Sequence, residues 1–431
     1  MKKILIPYLY NYYLFEYLEG LTKELQIRGY EVHVVTADKV VYDKFVKIGI
    51  NSKYVPLIIR LLLRRSGNMF VRSLLWISGY VWLAFLRNRY EFSIVPWDNK
   101  PLWYLMSKKI PSLTVHNTTN LMDIDFEIDT YKSNKNHAVA KFLEGILKVS
   151  LLPRLCNVVL KHNKFWYLDR LFGMRSDSLV QGFSGLDYIS VTGNKIKDTL
   201  TSAGLQKKGT SIHVVGNPAY DGFINFASKF TNDKKIAYKK HLNLSENKDL
   251  YALFLSPSSY SEEQIKEVML VVETVLIYDR DASILVKFHP KTEVKYIDIF
   301  RNLISCATSN YSILTGYTGD YTNLNIILSS KCILQKQSTV GYISMLVSKP
   351  IISYNFMDTG YSDDMYKVMK SSLHCESTDD MLKFLSKLNS EDEMQKLQKL
   401  QEIACANFCK RTNSAASNIV DIIDDHFSNQ H

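Results

Sequence analysis

KKILIP (residues 2–7), a stretch with helical spacing over 13–28 that stops at Gly29, and EVHVVT (residues 31–36) open the chain. Apolar run, amphipathic helix, alternating Val-rich run: this is a strand, helix, strand unit, and two such strands in succession imply a parallel sheet covered by helices. Short apolar strands recur at Phe92 to Pro96, Ser112 to His116, Tyr188 to Thr192 and Ile212 to Val215, so the first half reads as one doubly wound domain. Between them, residues 123–164 are polar, then basic and aromatic, without a clean period, as in a long loop carrying one or two helices. A Lys- and Asn-rich stretch over 221–248 follows Gly216-Asn217-Pro218 and reads as a connection. The alternation then restarts, with strands Leu250 to Leu255, Ser283 to Phe288, Tyr311 to Leu314, Cys332 to Leu334 and Pro350 to Tyr354, and helices opening at Ser261, Val294 and Ser338. The expected organisation is α/β: two doubly wound domains, 1–220 and 249–390, facing a central cleft, joined by 221–248 and followed by C-terminal helices over 391–431.

Composition excludes several classes. The chain has 431 residues, 46% of them hydrophobic and 22% charged, which is a globular mixture and neither a disordered chain nor a small disulfide scaffold. Lys and Arg outnumber Asp and Glu by 53 to 43, a formal charge of +10, which suits phosphate, anionic lipid or nucleic acid. The six cysteines show no CxxC; Cys405 and Cys409, four apart in a helical pattern, read as small core residues rather than a metal site, and the compartment as a reducing cytoplasm. Pro7, Asn11 and Glu16 interrupt the apolar start, so it reads as a strand and not a signal peptide. Over 58–89 the longest uncharged stretch, Ser73 to Leu86, has 14 residues, short of the roughly 20 a spanning helix needs. Around it Arg60, Arg64, Arg65, Arg72, Arg87 and Arg89 alternate with Leu, Trp and Phe; either a helix in the headgroup plane or a core helix with arginines snorkelling from its ends fits that pattern.

Ligands of doubly wound sheets bind where loops leave the carboxyl ends of the strands. The strand Ile284-Leu-Val-Lys-Phe runs into His289-Pro290-Lys291, which gathers Lys287, His289 and Lys291 at one strand end while Pro290 stiffens the exit; an imidazole N–H among ammonium groups suits a nucleotide phosphate. Strand Lys331 to Leu334 leads to Ser338-Thr339-Val340-Gly341 at a helix start, where a hydroxyl either caps the helix or joins its free N–H groups in an anion site. In Ser256-Pro257-Ser258-Ser259-Tyr260, the hydroxyls sit after the first strand of the second domain, and Ser261 with Gln264 forms a capping box. Candidates for an acid or base in the first domain are Asp98, just past a strand, His116, which ends one, and Glu16 on the first helix. Asp123-Ile-Asp125 has the spacing of a divalent-metal motif but sits in an acidic loop that solvation explains as well; no metal site and no cofactor is expected. No Gly-x-Gly-x-x-Gly follows the first strand, Walker, HExxH and GxSxG motifs are absent, and the 27 tyrosines are spread through both halves, against nucleic-acid stacking.

In order along the chain, Ser190-Val-Thr-Gly-Asn194, His213-Val-Val-Gly-Asn217-Pro-Ala-Tyr-Asp221, Leu285-Val-Lys-Phe-His-Pro290, Ser338-Thr-Val-Gly341 and Ser348-Lys-Pro-Ile-Ile352 resemble the GT-B type of nucleotide-sugar glycosyltransferase, and more loosely the non-hydrolysing UDP-N-acetylglucosamine 2-epimerases. The His-Pro loop with a downstream Ser/Thr motif is similar to that of bacterial sialyl- and Kdo-transferases using CMP-sugars and of CDP-glycerol polyol-phosphate transferases. In those families the His and hydroxyls contact donor phosphate, a role the resemblance implies for His289, Ser338 and Thr339. Lys287, Pro290, Ser258 and Asn217 complete the donor set. Of the epimerases' Gly-Asp-Thr, His-x-Glu-Ala-Gly and Gly-Gly-x-x-Glu-Glu, Asp98 is similar to the first, but His116-Asn117-Thr118 and Val340-Gly341-Tyr342 lack the expected carboxylates. What the resemblance implies is two Rossmann-like domains and a metal-independent transfer from a nucleotide sugar to a glycan or lipid-linked acceptor of a bacterial capsule or lipopolysaccharide. Asp98 or His116 would serve as base, and the chain would sit at the inner face of the plasma membrane through its arginines. The competing expectations are an epimerase-like enzyme, a CDP-glycerol-type polyol-phosphate transferase and a non-enzymatic polyanion-binding protein.

Overall fold

The computed structural model describes residues 1–8, 15–36, 39–54, 89–95, 110–115, 186–203, 209–255, 260–316, 320–336, 338–357 and 365–429. These form two compact units: 1–219 with 414–431, and 220–413.

The first unit carries strands β1 (Lys3–Tyr8), β2 (Glu31–Thr36), β3 (Asn51–Tyr54), β4 (Phe92–Val95), β5 (Ser112–Val115), β6 (Tyr188–Val191) and β7 (Ser211–Val214) in one parallel sheet, ordered β3-β2-β1-β4-β5-β6-β7. The opening unit folds as its pattern dictates: Ile4, Ile6, Val32 and Val34 share a face and pack on Leu18, Leu21 and Leu25 of the helix Phe15–Ile27. Gly29, at φ +83°, makes the left-handed turn that returns the chain to the sheet. The last helix of the chain, Ala415–Ser428, belongs to this unit too, inserting Ile419, Val420, Ile423 and Phe427 into the same core. Arg28 fastens it from outside, donating to Asp424 at 2.8 Å, Asp421 at 2.9 Å and Ser417 at 2.7 Å.

In the second unit the strands are β8 (Leu250–Phe254), β9 (Ser283–Lys287), β10 (Tyr311–Leu314), β11 (Cys332–Gln335), β12 (Ile351–Tyr354) and β13 (Leu373–Cys375), all parallel and ordered β10-β9-β8-β11-β12-β13. Both sheets therefore run outward from their first strand in one direction and then resume on its other side, which is the doubly wound pattern with a switch point beside the first strand. On one face Tyr251, Leu253, Ile284, Val286 and Leu334 pack on Val268, Val271, Val272 and Val275 of the helix Glu262–Tyr278. Ser261 and Gln264 start that helix with the capping box read from the sequence: the Gln264 N–H donates to Ser261 Oγ at 3.2 Å and the Ser261 N–H to Gln264 Oε1 at 2.9 Å. On the other face Leu250, Ala252, Phe254, Leu285 and Ile333 meet Phe223, Leu242, Leu244, Leu324 and Ile343.

Residues 221–248, read from the sequence as a connection, build helices Phe223–Ser228 and Asn232–His241 and add Phe223, Leu242 and Leu244 to this core. Of the tail, helices Thr378–Lys387 and Glu391–Phe408 stay with the second unit. Cys405 and Cys409 are buried core thiols, and burial pushes the Cys405 thiol up to about 12. Among the described residues no helix is long and apolar enough to cross a membrane; the segment with Arg60, Arg64, Arg65, Arg72 and Arg87 lies outside the described residues.

Candidate functional site

At the carboxyl edge of the second sheet, the register lines up Leu314, Lys287, Phe254, Gln335 and Ser353, one residue from each of five neighbouring strands. Partners in parallel register point to the same face. Lys287 and Gln335 thus flank Phe254 on either side of the switch point, their Cα atoms roughly 10 Å apart at two strand spacings.

Lys287 ends β9 and is 7% exposed. Its Nζ donates to the carbonyl of Gly316 at 3.3 Å, and no carboxylate pairs with it among the described residues. Burial lowers its pKa, because the ammonium has lost water without gaining a counter-charge. Two residues on, half-buried His289 accepts the Lys291 N–H at Nδ1, 3.1 Å away. That bond leaves the proton on Nε2, which is then a donor. Burial, then Lys291 and Lys287, hold this imidazole below its ordinary pKa, so it is neutral near pH 7. Glu293 occupies the N-cap position of the helix Val294–Ala307 without a side-chain capping bond, and the His289 imidazole takes the Lys291 N–H instead, so helix capping does not account for His289.

Across the switch point, Ser338 and Thr339 lead into the short helix Val340–Leu346. Thr339 occupies the N-cap position, but its side chain makes no capping bond; Ser338 Oγ accepts the Val340 N–H at 3.4 Å. The Ser338 carbonyl takes two bonds, from the Gly341 N–H at 3.1 Å and from the Tyr366 hydroxyl at 2.5 Å. Gly341 has to be glycine: a Cβ there would lie 2.3 Å from Tyr366 Cζ and 2.5 Å from Gln335 Nε2. Pinned in this way, Ser338 is half-buried and Thr339 exposed, three and four residues after the strand-end Gln335.

Comparison with known proteins bears on the fold. No protein-family model and no curated protein sequence matches the chain. Solved structures do match. A glycosyltransferase from Rickettsia africae ESF-5 aligns over 99% of both chains at 13% identity, with a TM-score of 0.59. UDP-GlcNAc 2-epimerase from Neisseria meningitidis, solved with UDP-GlcNAc, aligns over 98% of this chain and 100% of its own at 12% identity and a TM-score of 0.61. The wall teichoic acid polymerase TagF, soaked with CDPG, aligns over 100% of this chain and 89% of its own at 14% identity and 0.51. The chain has the GT-B fold. Within GT-B, the three matched proteins differ in chemistry, so the likeness carries architecture and not a substrate.

Of the residues expected to bind a donor, Lys287, His289, Pro290, Ser338 and Thr339 stand on neighbouring loops at one sheet edge of the GT-B second unit. Asn217 is in the first unit, where its Oδ1 accepts the Ala219 N–H at 3.0 Å and closes a turn. Ser258, Asp98, His116 and the Asp123-Ile-Asp125 motif lie outside the described residues, and of Glu16 only its place in the helix Phe15–Ile27 is described. Among the described residues no group of three His, Cys, Asp or Glu side chains is arranged to hold a metal ion.

Sequence reading passed over two residues that shape this edge, Glu267 and Tyr366. Glu267 had a visible signal: a carboxylate between Ile265 and Val268 on the apolar stripe of its helix, where it is 1% exposed. Tyr366 had none, since it sits in a four-residue helical turn far along the chain.

Proposed function

We propose that this protein is a glycosyltransferase that moves a sugar from a nucleotide-activated donor to a growing bacterial cell-surface glycan, capsule or lipopolysaccharide. The observation that carries the reading is the Lys287 ammonium, buried at a strand end with no carboxylate partner among the described residues, next to a neutral His289 whose proton sits on Nε2. A buried cation without its counter-charge favours an anionic ligand, and the N–H of a neutral imidazole adds a directed donor.

In this reading the acceptor hydroxyl attacks the anomeric carbon, the bond from that carbon to the phosphate oxygen breaks, and the electron pair stays on the phosphate. Lys287, His289 and the Ser338 and Thr339 hydroxyls stabilise the charge that develops there, without an obligatory metal. Asp98 or His116 takes the acceptor proton, Ser258 adds a hydroxyl to the donor seat, and the arginines at 60, 64, 65, 72 and 87 hold the protein at the inner membrane face near a lipid-linked acceptor.

The test is incubation with UDP-, CMP- and CDP-activated donors, with and without a lipid-linked glycan acceptor, following nucleotide release and glycan product. Acceptor-dependent release is expected, with His289→Ala reducing it by about 100-fold or more in a protein that melts as the wild type does. Retention of most activity in His289→Ala would remove the reading. Interconversion of a free nucleotide sugar without any acceptor would replace it with an epimerase.

A further inference from the structure

Glu267 lies on the helix Glu262–Tyr278, which follows the first strand of the second sheet, yet its carboxylate holds loops that leave the sheet far later in the chain. Oε2 pairs with Lys336 Nζ at 2.8 Å, and Oε1 accepts the backbone N–H groups of Phe356 at 2.7 Å and Met357 at 3.2 Å. The pair is shielded from solvent: the Glu267 side chain is 2% exposed and that of Lys336 14%. Lys336 directly follows β11, and Phe356 and Met357 follow β12. One carboxylate therefore fastens the loops leaving two adjacent strands, on the switch-point side of the sheet.

The loop after β11 is held at both ends. Glu267 takes Lys336 at its start, and Tyr366 with the Gly341 N–H takes the Ser338 carbonyl at its end. Neither anchor belongs to the loop itself, and the hydroxyls of Ser338 and Thr339 lie at its far end. An ion pair this buried is a costly way to stabilise a fold, since apolar residues of similar size usually do as well. Its geometric product is a fixed position for Lys336.

We infer that Glu267 is a positioning residue of the phosphate site, fixing Lys336 and the Ser338–Thr339 turn where a donor's phosphates are held. This rests on the reading of the site given above. Glu267 does not contact the ligand; it acts through Lys336 and the loop. The charge of the pair matters only to groups bound at that edge, so its loss bears on phosphate and not on a nucleoside.

The experiment is isothermal titration of the full chain with UDP, CDP and CMP, and with uridine and cytidine as phosphate-free probes, at fixed salt. The proteins are wild type, Glu267→Gln, Lys336→Met and the double variant; the melting temperature of each is recorded alone. Glutamine keeps an acceptor for Phe356 and Met357, and the double variant removes both charges, so it stays folded if either single variant does not. Wild type is expected to bind one nucleotide. Each single variant should bind it roughly tenfold more weakly, as expected on losing a charge-assisted contact, with the double variant no weaker than the singles and nucleoside affinity unchanged. Unchanged nucleotide affinity in Glu267→Gln and in the double variant would overturn the inference while leaving the site's function intact. Equal losses for nucleotide and nucleoside would also overturn it, marking the pair as structural. A wild type that binds none of the probes would remove the phosphate site itself, and this inference with it.

Discussion

Inside the first sheet, buried hydroxyls find partners one strand away: Thr114 Oγ1 donates to the Val95 carbonyl at 3.0 Å, and Ser190 Oγ to the Thr114 carbonyl at 3.2 Å. The second sheet shares the strand order but distributes its polar groups differently. β8, β9 and β11 read Leu-Tyr-Ala-Leu-Phe, Ser-Ile-Leu-Val-Lys and Cys-Ile-Leu-Gln, and the last two end on a polar residue at the carboxyl edge. There the bonding is incomplete. Among the described residues Lys287 has a lone carbonyl, and both amide atoms of fully buried Gln335 lack a partner. Each such group costs about 1–3 kcal/mol, which an edge with no further purpose would not retain. The first sheet leaves Ser52 Oγ and His213 Nε2 unpaired, on strands β3 and β7 at its two outer edges; the second sheet holds unspent polar capacity at the centre of its carboxyl edge, where doubly wound folds take ligands.

The largest expected effect on that contrast comes from closing the second edge by force. Gly341→Ala sets a methyl group against the Tyr366 ring and the Gln335 amide, both fully buried. It should cost about 3 kcal/mol in a denaturant titration and weaken nucleotide binding with it, because Tyr366 holds the Ser338 carbonyl. Full stability in Gly341→Ala would show that the edge is looser than the packing implies.

A smaller effect should appear in the first unit on acidification. His426 Nδ1 bonds the Tyr188 hydroxyl at 2.8 Å, and the buried Nε2 of His213 has no partner on the other side of that ring. Burial holds both imidazoles below 6.5; Lys2 adds to this at His426 and Lys197 at His213, while Asp187 and Asp425 oppose it. With folded values below unfolded ones, the unfolded chain binds more protons in the window between them. Stability is therefore full above about pH 6.5 and falls as the pH drops toward the folded values. The melting temperature should decline as the pH falls below about 6.5, and a His213→Asn/His426→Asn double variant should flatten the decline. An unchanged slope in that variant would place the acid sensitivity elsewhere.

Much of the architecture was legible because apolar strands flanked by capped helices leave a local trace; the spans at Phe92, Ser112, Tyr188, Leu250, Ser283, Tyr311, Cys332 and Pro350 all coincide with strands. What escaped was polar or short. β3 reads Asn-Ser-Lys-Tyr, an edge strand with largely exposed side chains, and β13 has three residues. The helix Asn232–His241 looked like a linker because Lys and Asn dominate it, although Thr231 caps it and Lys239 is buried against the carbonyls of Glu246 and Lys248. At the site, Lys287, His289, Ser338 and Thr339 showed themselves by standing at strand ends. Glu267 did not, because its partners lie 69 to 90 residues away and only the folded sheet brings them together.

The central claim is that the carboxyl edge of the second sheet binds a nucleotide's phosphate through Lys287. The most direct measurement is isothermal titration of wild type and Lys287→Met with UDP, CDP, CMP and GDP. One nucleotide should bind wild type and lose about tenfold or more in Lys287→Met, while the ligand-free variant melts no lower than wild type, since it is relieved of a buried ammonium. Equal affinity in the two proteins, or no binding by wild type, would contradict the account.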